Sequence, residues 1–172
     1  SKEQEIKQFK WTIEAVANLK VRLKQSQQLG TRLETVVTEW GKAQKVRYTK
    51  TAEGDKTILV LTYAAKQTVQ GKKSVTLWFE QGKDQGYRLT MVDATNLLDA
   101  NEKASSEKEI TTEKQNKGTE LAHLINQLGT PQRLVWEELL DGEEGFRATY
   151  QIPGQTEVVM ELKKKGKKLV LV

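Results

Sequence analysis

The feature that most constrains this 172-residue chain is a fifteen-residue segment that occurs twice, eighty-eight positions apart. Residues 30–44 read GTRLETVVTEWGKAQ, and residues 118–132 read GTELAHLINQLGTPQ. The five identical pairs are Gly30 and Gly118, Thr31 and Thr119, Leu33 and Leu121, Gly41 and Gly129, and Gln44 and Gln132. Apolar residues three and four apart, followed by glycine, predict a short amphipathic helix in each segment.

The hydrophobic period changes from helical to two after each of these helices. In the first half, alternating runs bounded by turn-rich stretches predict strands at 44–50 (QKVRYTK), 57–63 (TILVLTY), 74–80 (SVTLWFE) and 86–92 (GYRLTMV). In the second half, strands are expected near 132–138, 145–152, 156–163 and 168–172. No crossover helices separate the strands, so each half reads as an antiparallel meander.

The matched order predicts an α+β fold made of two tandem units, each a helix followed by four antiparallel strands. The first unit lies within residues 1–92 and the second within residues 118–172. Residues 93–117 are charged and poor in apolar groups, which is typical of a linker or an exposed helical arm. A weak helix is possible there, around residues 96–108.

An additional N-terminal helix is expected before the first unit. Residues 3–28 place Ile6, Phe9, Ile13, Val16 and Leu23 on one helical stripe. Thr31 with Glu34 forms a capping-box pattern for the next helix. Trp11 lies off the main stripe and could reach across to the sheet.

Composition limits the chemistry and leaves the class of partner open. The chain has no Cys, so disulfides and thiolate chemistry are excluded. Its 28 Lys and Arg against 23 Asp and Glu give a net charge of +5, which favours anionic partners. No apolar run reaches the length of a membrane span, and the first ten residues contain no apolar signal segment.

The two units together resemble the β-lactamase-inhibitor-like lipoproteins, and each unit resembles half of the small outer-membrane-assembly lipoproteins. The motifs are GTRLETVVTEWGKA with LTYA and VTLWFEQGK, and GTELAHLINQLGTP with ATYQ and VVMELKKKG. The resemblance covers residues 30–92 and 118–172. It implies helices on one face of two four-stranded sheets whose other face forms a concave surface for protein partners. It also implies secretion and a lipid anchor at the surface of a bacterium, often Gram-positive. The lipidated Cys of such proteins is absent, as expected if the sequence begins beyond it, and a cytoplasmic protein is the alternative.

Strand alternation identifies a candidate partner-binding face. Val75, Leu77 and Phe79 share one side of their strand, so Trp78 must face the other. The residues expected beside Trp78 on the helix-free face are Ile58, Val60, Arg47 and Arg88. An exposed Trp with aliphatic residues and Arg has the composition of a protein-binding hot spot. The alternative is that this face packs against the N-terminal helix, the 93–117 arm or the other sheet.

A second hypothesis is attachment to an anionic polymer such as wall teichoic acid or nucleic acid. The basic groups are Lys163, Lys164, Lys165, Lys167 and Lys168 in a hairpin turn, with Lys72 and Lys73 in another. Lysines at a hairpin also discourage aggregation, and no aromatic residues are interleaved for stacking. The sequence leaves both hypotheses, the partner's identity and the oligomeric state open.

The sequence contains few residues suited to catalysis, and the prediction is that the chain is not an enzyme. The only imidazole is His123, on the second repeated helix. The acidic pairs Glu137-Glu138 and Glu143-Glu144 lack calcium-loop spacing and are expected to be solvated charge. There is no phosphate-binding glycine loop, so no cofactor, metal or small-molecule substrate is inferred.

Overall fold

The computed structural model describes residues 11–64, 73–98, 115–151, 154 and 156–172. It contains one antiparallel sheet in which eight strands follow one another in chain order. The strands are β1 (Lys45–Lys50), β2 (Thr57–Ala64), β3 (Ser74–Gln81), β4 (Tyr87–Asp93), β5 (Arg133–Glu138), β6 (Glu144–Tyr150), β7 (Val158–Lys165) and β8 (Lys168–Leu171). All eight predicted strands are present, within a few residues of their expected ends.

Three α-helices and one 3₁₀ turn accompany the sheet in the described residues. They are α1 (Ile13–Ala17), α2 (Leu33–Trp40), the 3₁₀ turn Thr95–Leu97 and α3 (Leu121–Leu128). Their buried residues, such as Val16, Val36 and Leu124, join one hydrophobic core with Leu77 and Phe79 of the sheet. These helices therefore pack on one face of the sheet, as strand alternation predicts.

One continuous sheet replaces the two separate sheets that the resemblance implies. β4 pairs with β5 through only two residue pairs, Val92 with Trp136 and Asp93 with Val135. Beyond these pairs the two strands diverge. The two halves of the sheet are thus joined at one end of β4 and are open at the other.

The N-terminal segment fills this opening, and the predicted long helix is wrong for the residues beyond Ala17. Helix α1 ends at Ala17, and residues 19–32 run as an extended hairpin closed by a bridge between Leu23 and Gln28. The Arg22 N–H donates to the Leu89 carbonyl at 2.8 Å, and the Leu89 N–H donates to the Thr31 carbonyl at 2.9 Å. The edge of β4 supplies hydrogen bonds that outweigh a weak helical preference. The earlier part of the predicted helix, residues 3–10, lies outside the described residues.

Thr31 has a different role from the predicted helix cap. The residue that precedes α2 is Arg32, whose side chain makes no capping bond. The Thr31 hydroxyl instead accepts a hydrogen bond from the Lys20 N–H at 2.9 Å. Its side chain therefore holds the two arms of the N-terminal hairpin together.

Two carboxylates on the helix-covered face hold the same hairpin against β5 and β6. Glu144 accepts hydrogen bonds from the Val21 N–H at 3.0 Å and from the Gln28 amide at 3.1 Å. Glu138 accepts one from the Lys24 N–H at 2.8 Å. The expectation of solvated charge is therefore wrong for these two residues, since they satisfy backbone donors of the extended segment.

Several hydrogen bonds recur at corresponding positions in the two halves. The Tyr63 hydroxyl donates to the Gly41 carbonyl at 2.8 Å, and the Tyr150 hydroxyl donates to the Gly129 carbonyl at 2.9 Å. Each bond ties the glycine that ends a helix to the second strand after it. Burial of both hydroxyls raises the pKa of Tyr150 and raises that of Tyr63 to about 12.

We predict that Gly30→Ala destabilises the protein more than Gly118→Ala. Both glycines have a φ of +88°, which an L side chain adopts with strain of about 1 kcal/mol. A Cβ at Gly30 would lie 2.4 Å from the Leu89 carbonyl oxygen, whereas nothing lies within 4 Å at Gly118. Urea unfolding should show the larger loss for Gly30→Ala, and equal losses would contradict the close approach of the hairpin to β4.

We predict that the two buried tyrosines make the protein sensitive to alkali. A raised folded-state pKa means that stability is complete below the unfolded value, near 10, and declines as the pH rises towards 12. The double variant Tyr63→Phe/Tyr150→Phe should lose about 1 kcal/mol per hydrogen bond at neutral pH. It should also show a flatter decline above pH 10 in urea unfolding curves. Tyr48→Phe, at an exposed position, is the control and should behave as the wild type does.

We predict that Glu144→Ala releases the N-terminal hairpin while the sheet stays folded. The substitution leaves the Val21 N–H and the Gln28 amide without their acceptor. Hydrogen exchange should accelerate in residues 19–28 and remain slow in β2 and β3. Glu143→Ala, one residue away on an exposed carboxylate, should leave the exchange of this segment unchanged.

Candidate binding face

The helix-free face of β1–β4 presents four side chains in one cross-strand row. Arg47 lies opposite Val60, Val60 opposite Trp78, and Trp78 opposite Met91. Leu77 is fully buried on the helix side, while Trp78 is partly exposed on the other side. The row therefore has an aromatic residue at its centre and a cation at its outer end.

Of the five predicted residues, Arg47, Ile58, Val60 and Trp78 lie together on β1–β3. Arg47 is exposed, and Ile58 and Trp78 are partly buried. Val60 is only 3% exposed, although it does not belong to the core on the helix side. Its short side chain lies between the longer Arg47 and Trp78, so Val60 is the floor of the face and not an exposed contact residue.

Arg88 points to the same face but is held by the protein itself. Its guanidinium donates to the Gly30 carbonyl at 3.2 Å and to the Asp84 carboxylate at 3.0 Å, and its side chain is 12% exposed. The hydrogen bond from Arg88 holds the pKa of Asp84 below its ordinary value. Arg88 therefore holds the N-terminal hairpin and the β3–β4 turn in place. The prediction placed it among the exposed contact residues, whereas its side chain is largely occupied by these internal bonds.

A β-bulge brings Met91 onto this face. The register shifts between Trp78 and Phe79, so that Trp78 pairs with Met91 and Phe79 pairs with Leu89. Thr90 is the extra residue, and its hydroxyl donates to the Trp78 carbonyl at 3.2 Å. Simple alternation in GYRLTMV places Met91 with Leu89 on the covered side, which is why sequence reasoning missed it.

The N-terminal hairpin borders one end of the face. Arg22 donates to Glu80 at 2.7 Å, and Lys56 lies 3.5 Å from the same carboxylate. For the described part of the N-terminal segment, from residue 11 on, the alternative that it packs against this face is therefore right at the end near Glu80. Trp11 does not cross to it, because its ring lies 5.9 Å from that of Tyr63 on the helix side.

The second half has ion-paired residues where the first half has its candidate site. There the cross-strand row is Val135, Arg147 and Glu161. Arg147 lies 3.2 Å from Glu161 and 3.5 Å from Glu137, and Val135 is buried. Burial raises the pKa of Glu137, an effect that Arg147 opposes.

A groove of about 680 Å³ lies beside this second row. Its lining includes Arg147, Val159 and Glu161 together with Leu140, which is 85% exposed. Sequence reasoning missed Leu140, since a leucine in a turn carries no signal of exposure. The groove is half-open, and two of its charged residues, Arg147 and Glu161, are paired with each other.

The lysine run is partly neutralised by neighbours. Lys163 lies at the end of β7 and contacts the carboxylates of Asp141 and Glu143, which raise its pKa. Lys164 donates to Asn18, and Lys168 lies 3.2 Å from Glu120. The turn itself is formed at Gly166 and Lys167. Lys165 and Lys167 point to solvent, Lys73 is partly buried, and Lys72 lies outside the described residues, so the anionic-polymer hypothesis stays a prediction.

Nothing in the described parts of the chain assembles a set of catalytic groups. His123 is exposed on α3. Residues 11–64, 73–98, 115–151 and 156–172 contain no group of three His, Asp or Glu residues placed to hold a metal ion. The helices found in these ranges are too short and too polar to span a membrane.

The fold was compared with those of solved structures. The chain is similar to a Streptococcus mutans protein described as a "putative beta-lactamase inhibitor protein", with 17% identity and a TM-score of 0.42. The similarity covers 90% of this chain and 89% of the other. No protein-family model and no curated protein sequence matches the chain.

Proposed function

We propose that this chain is a non-enzymatic module that binds a protein partner through the helix-free face of β1–β4. The contact residues are Trp78, Ile58, Met91 and Arg47, with Val60 as the floor between them. The proposal rests on one observation above all: Trp78 is partly exposed at the centre of a face on which no described helix packs.

The chemistry of this face supports a protein partner over a small molecule. Trp, Met and Arg are enriched at protein interfaces, and a large aromatic residue on a shallow surface buries more area against another surface than against a small ligand. Arg47 has no ion-pair partner among the described residues, whereas Glu80 at the other end is held by Arg22. A partner would therefore gain an apolar contact at Trp78 and a charge contact at Arg47.

We further propose that the two halves are two copies of one structural unit, a helix followed by four strands. The support is the recurrence of contacts at repeated positions. Besides the two Tyr–Gly bonds, the Leu89 N–H donates to Thr31 and the Leu171 N–H donates to Thr119. The side-chain oxygens of Gln44 and Gln132 each accept a hydrogen bond from a backbone N–H, at 2.9 Å and 2.7 Å. The donors are the residues that directly follow Tyr63 and Tyr150.

The correspondence between units gives a reason to place the binding site in the first. Aligning the paired tyrosines and glutamines matches Arg47, Val60 and Trp78 with Val135, Arg147 and Glu161. In the second unit, Arg147 and Glu161 at these positions form an ion pair. In the first unit, Arg47 has no ion-pair partner among the described residues and Trp78 is partly exposed. The same framework thus carries a closed surface in one half and an open one in the other.

The setting of this function is also a proposal. The resemblance of the repeated motifs to secreted lipoproteins suggests a module displayed at a bacterial cell surface, where its partner would be another envelope or secreted protein. Its net charge of +5 would favour an acidic partner in that setting.

We predict that Trp78→Ala abolishes partner capture and changes stability little. With the chain immobilised, a cross-linked partner from the native cell-surface fraction should be retained by wild type and lost with Trp78→Ala. Trp78 is half-buried, so truncation should cost about 1 kcal/mol, against about 3–5 kcal/mol for Trp136→Ala, which is 1% exposed. Urea unfolding of both variants separates these cases.

The matched surface control is Leu140→Ala, which removes an exposed apolar side chain from the second half. It should retain the partner. Retention of the partner by Trp78→Ala would show that the partner does not bind this face. A loss of stability equal to that of Trp136→Ala would show that Trp78 belongs to the core, and either result would overturn the proposal.

A further inference from the structure

Strand β1 is an edge strand whose outer side is open. The sheet order places β1 at one end and β8 at the other. The edge of β8 is covered, because the Gly118 N–H donates to the Leu171 carbonyl and the Leu171 N–H donates to the Thr119 carbonyl, both at 2.8 Å. Within the described residues, no backbone bond reaches the outer side of Lys45–Lys50. An uncovered edge of this length is a site for pairing with another extended chain.

The side chains of β1 are more exposed than alternation predicts. Val46 and Tyr48 point to the helix-covered side, opposite Leu61 and Leu59, yet they are 55% and 66% exposed. The helices pack over the middle of the sheet and leave this border uncovered. The strand therefore offers an apolar side beside an open row of backbone groups.

The charges of β1 select the occupant. Lys45, Arg47 and Lys50 have no ion-pair partner among the described residues, and KVRYTK contains no carboxylate. If a second copy of this chain paired through β1, the cations of the two β1 strands would lie close together and repel each other. An acidic extended segment would instead place carboxylates opposite Lys45 and Arg47, which share one side of the strand.

The other half of the sheet contains an example of such pairing. If β5 corresponds to β1, as the proposed two-unit arrangement has it, then Val135 and Trp136 occupy the positions of Arg47 and Tyr48. Their outer edge is taken by an antiparallel strand, in which Asp93 lies opposite Val135 and Val92 lies opposite Trp136. Trp136 is 1% exposed, whereas the corresponding Tyr48, which has no strand on its outer side among the described residues, is 66% exposed.

We infer that the edge of β1 binds an extended acidic segment of a protein partner by strand addition, antiparallel to β1. In the bound segment, carboxylates alternate with aliphatic residues. The carboxylates face Lys45 and Arg47, and the aliphatic side chains cover Val46 and Tyr48. This site goes beyond the proposed face, because it uses backbone pairing at the sheet edge and takes no contact from Trp78.

The experiment uses a fluorescein-labelled eight-residue peptide in which aspartate alternates with valine, titrated with the full chain. Fluorescence anisotropy should show saturable binding that weakens as salt is raised. The same peptide with lysine in place of aspartate should bind at least tenfold more weakly. Amide exchange measured by NMR should slow in β1 on binding the acidic peptide.

Two N-methylated peptides test strand addition directly. In an added strand, alternate N–H groups face β1 and the others face solvent. Methylating one alternate set should abolish binding, and methylating the other set should leave the affinity within about threefold of the parent. Equal effects of both sets would overturn backbone pairing.

Charge exchange identifies the groups on the protein. Lys45→Glu/Arg47→Glu should lose the acidic peptide by at least tenfold and gain the lysine peptide. Lys165→Glu/Lys167→Glu makes the same charge change on the distant hairpin and should leave the preference for the acidic peptide in place. If both double variants lose it equally, only net charge is acting and the site is wrong.

The remaining outcomes separate this site from the proposed face. Trp78→Ala should bind the acidic peptide as wild type does, and Tyr48→Ala should weaken it severalfold. If Trp78→Ala abolishes peptide binding, the peptide occupies the open face and the inference about the edge fails. Sedimentation of the free chain as a dimer, with slowed amide exchange in β1, would identify a second copy as the occupant and overturn the acidic segment.

Discussion

The junction between β4 and β5 is the interaction on which the arrangement of the whole sheet depends. Val92 and Asp93 pair with β5, and the Ala94 N–H donates to the Leu134 carbonyl at 2.8 Å. The 3₁₀ turn that follows continues the junction, because the Leu134 N–H donates to the Thr95 hydroxyl at 2.9 Å. This is a short pairing for two strands at the centre of an eight-stranded sheet. The rest of the gap is closed by the N-terminal hairpin, which hydrogen-bonds to β4 on one side and to carboxylates of β5 and β6 on the other.

This arrangement uses buried polar groups to orient apolar ones. Trp136 donates its indole N–H to the Leu19 carbonyl at 3.0 Å, while its ring packs on Phe146 with centroids 4.8 Å apart. Leu19, Val21 and Leu23 lie in the core. Arg22 points to the opposite side, where its guanidinium donates to the Glu80 carboxylate. Because side chains alternate along an extended strand, this one segment makes contacts on both faces of the sheet, beside the short β4–β5 pairing. A continued helix could not place Arg22 and Val21 on opposite sides in this way.

The strands were predictable from sequence because their period and their turns are local properties. Leu77 and Trp78 fall on opposite sides, and all eight strands lie close to their predicted positions. Three features depended on contacts that local patterns do not contain. Residues 18–28 have a helical stripe but pair with β4, Thr31 binds the hairpin in place of a helix N-terminus, and the bulge at Thr90 moves Met91 across the sheet. The burial of Val60 and Arg88 likewise follows from neighbours on other strands and from the hairpin.

If the two halves are copies of one unit, as proposed, their contrast illustrates how one framework can carry different surfaces. The bonds from Tyr63 and Tyr150 to the helix-terminal glycines fix the backbone equally in both, so the side chains on the open face are free to differ at little cost in stability. In the second half Arg147 is neutralised by Glu137 and Glu161, and the outer edge of β5 is filled by β4. In the first half, among the described residues, Arg47 has no ion-pair partner and no strand pairs with the outer edge of β1. Under the proposed two-unit correspondence, Trp78 occupies the position of Glu161. Unsatisfied charge, exposed aromatic surface and an open backbone edge thus occur together on the same border of the molecule. Each of these features weakens an isolated fold or invites aggregation, and a partner that covered that border, as proposed, would offset all three.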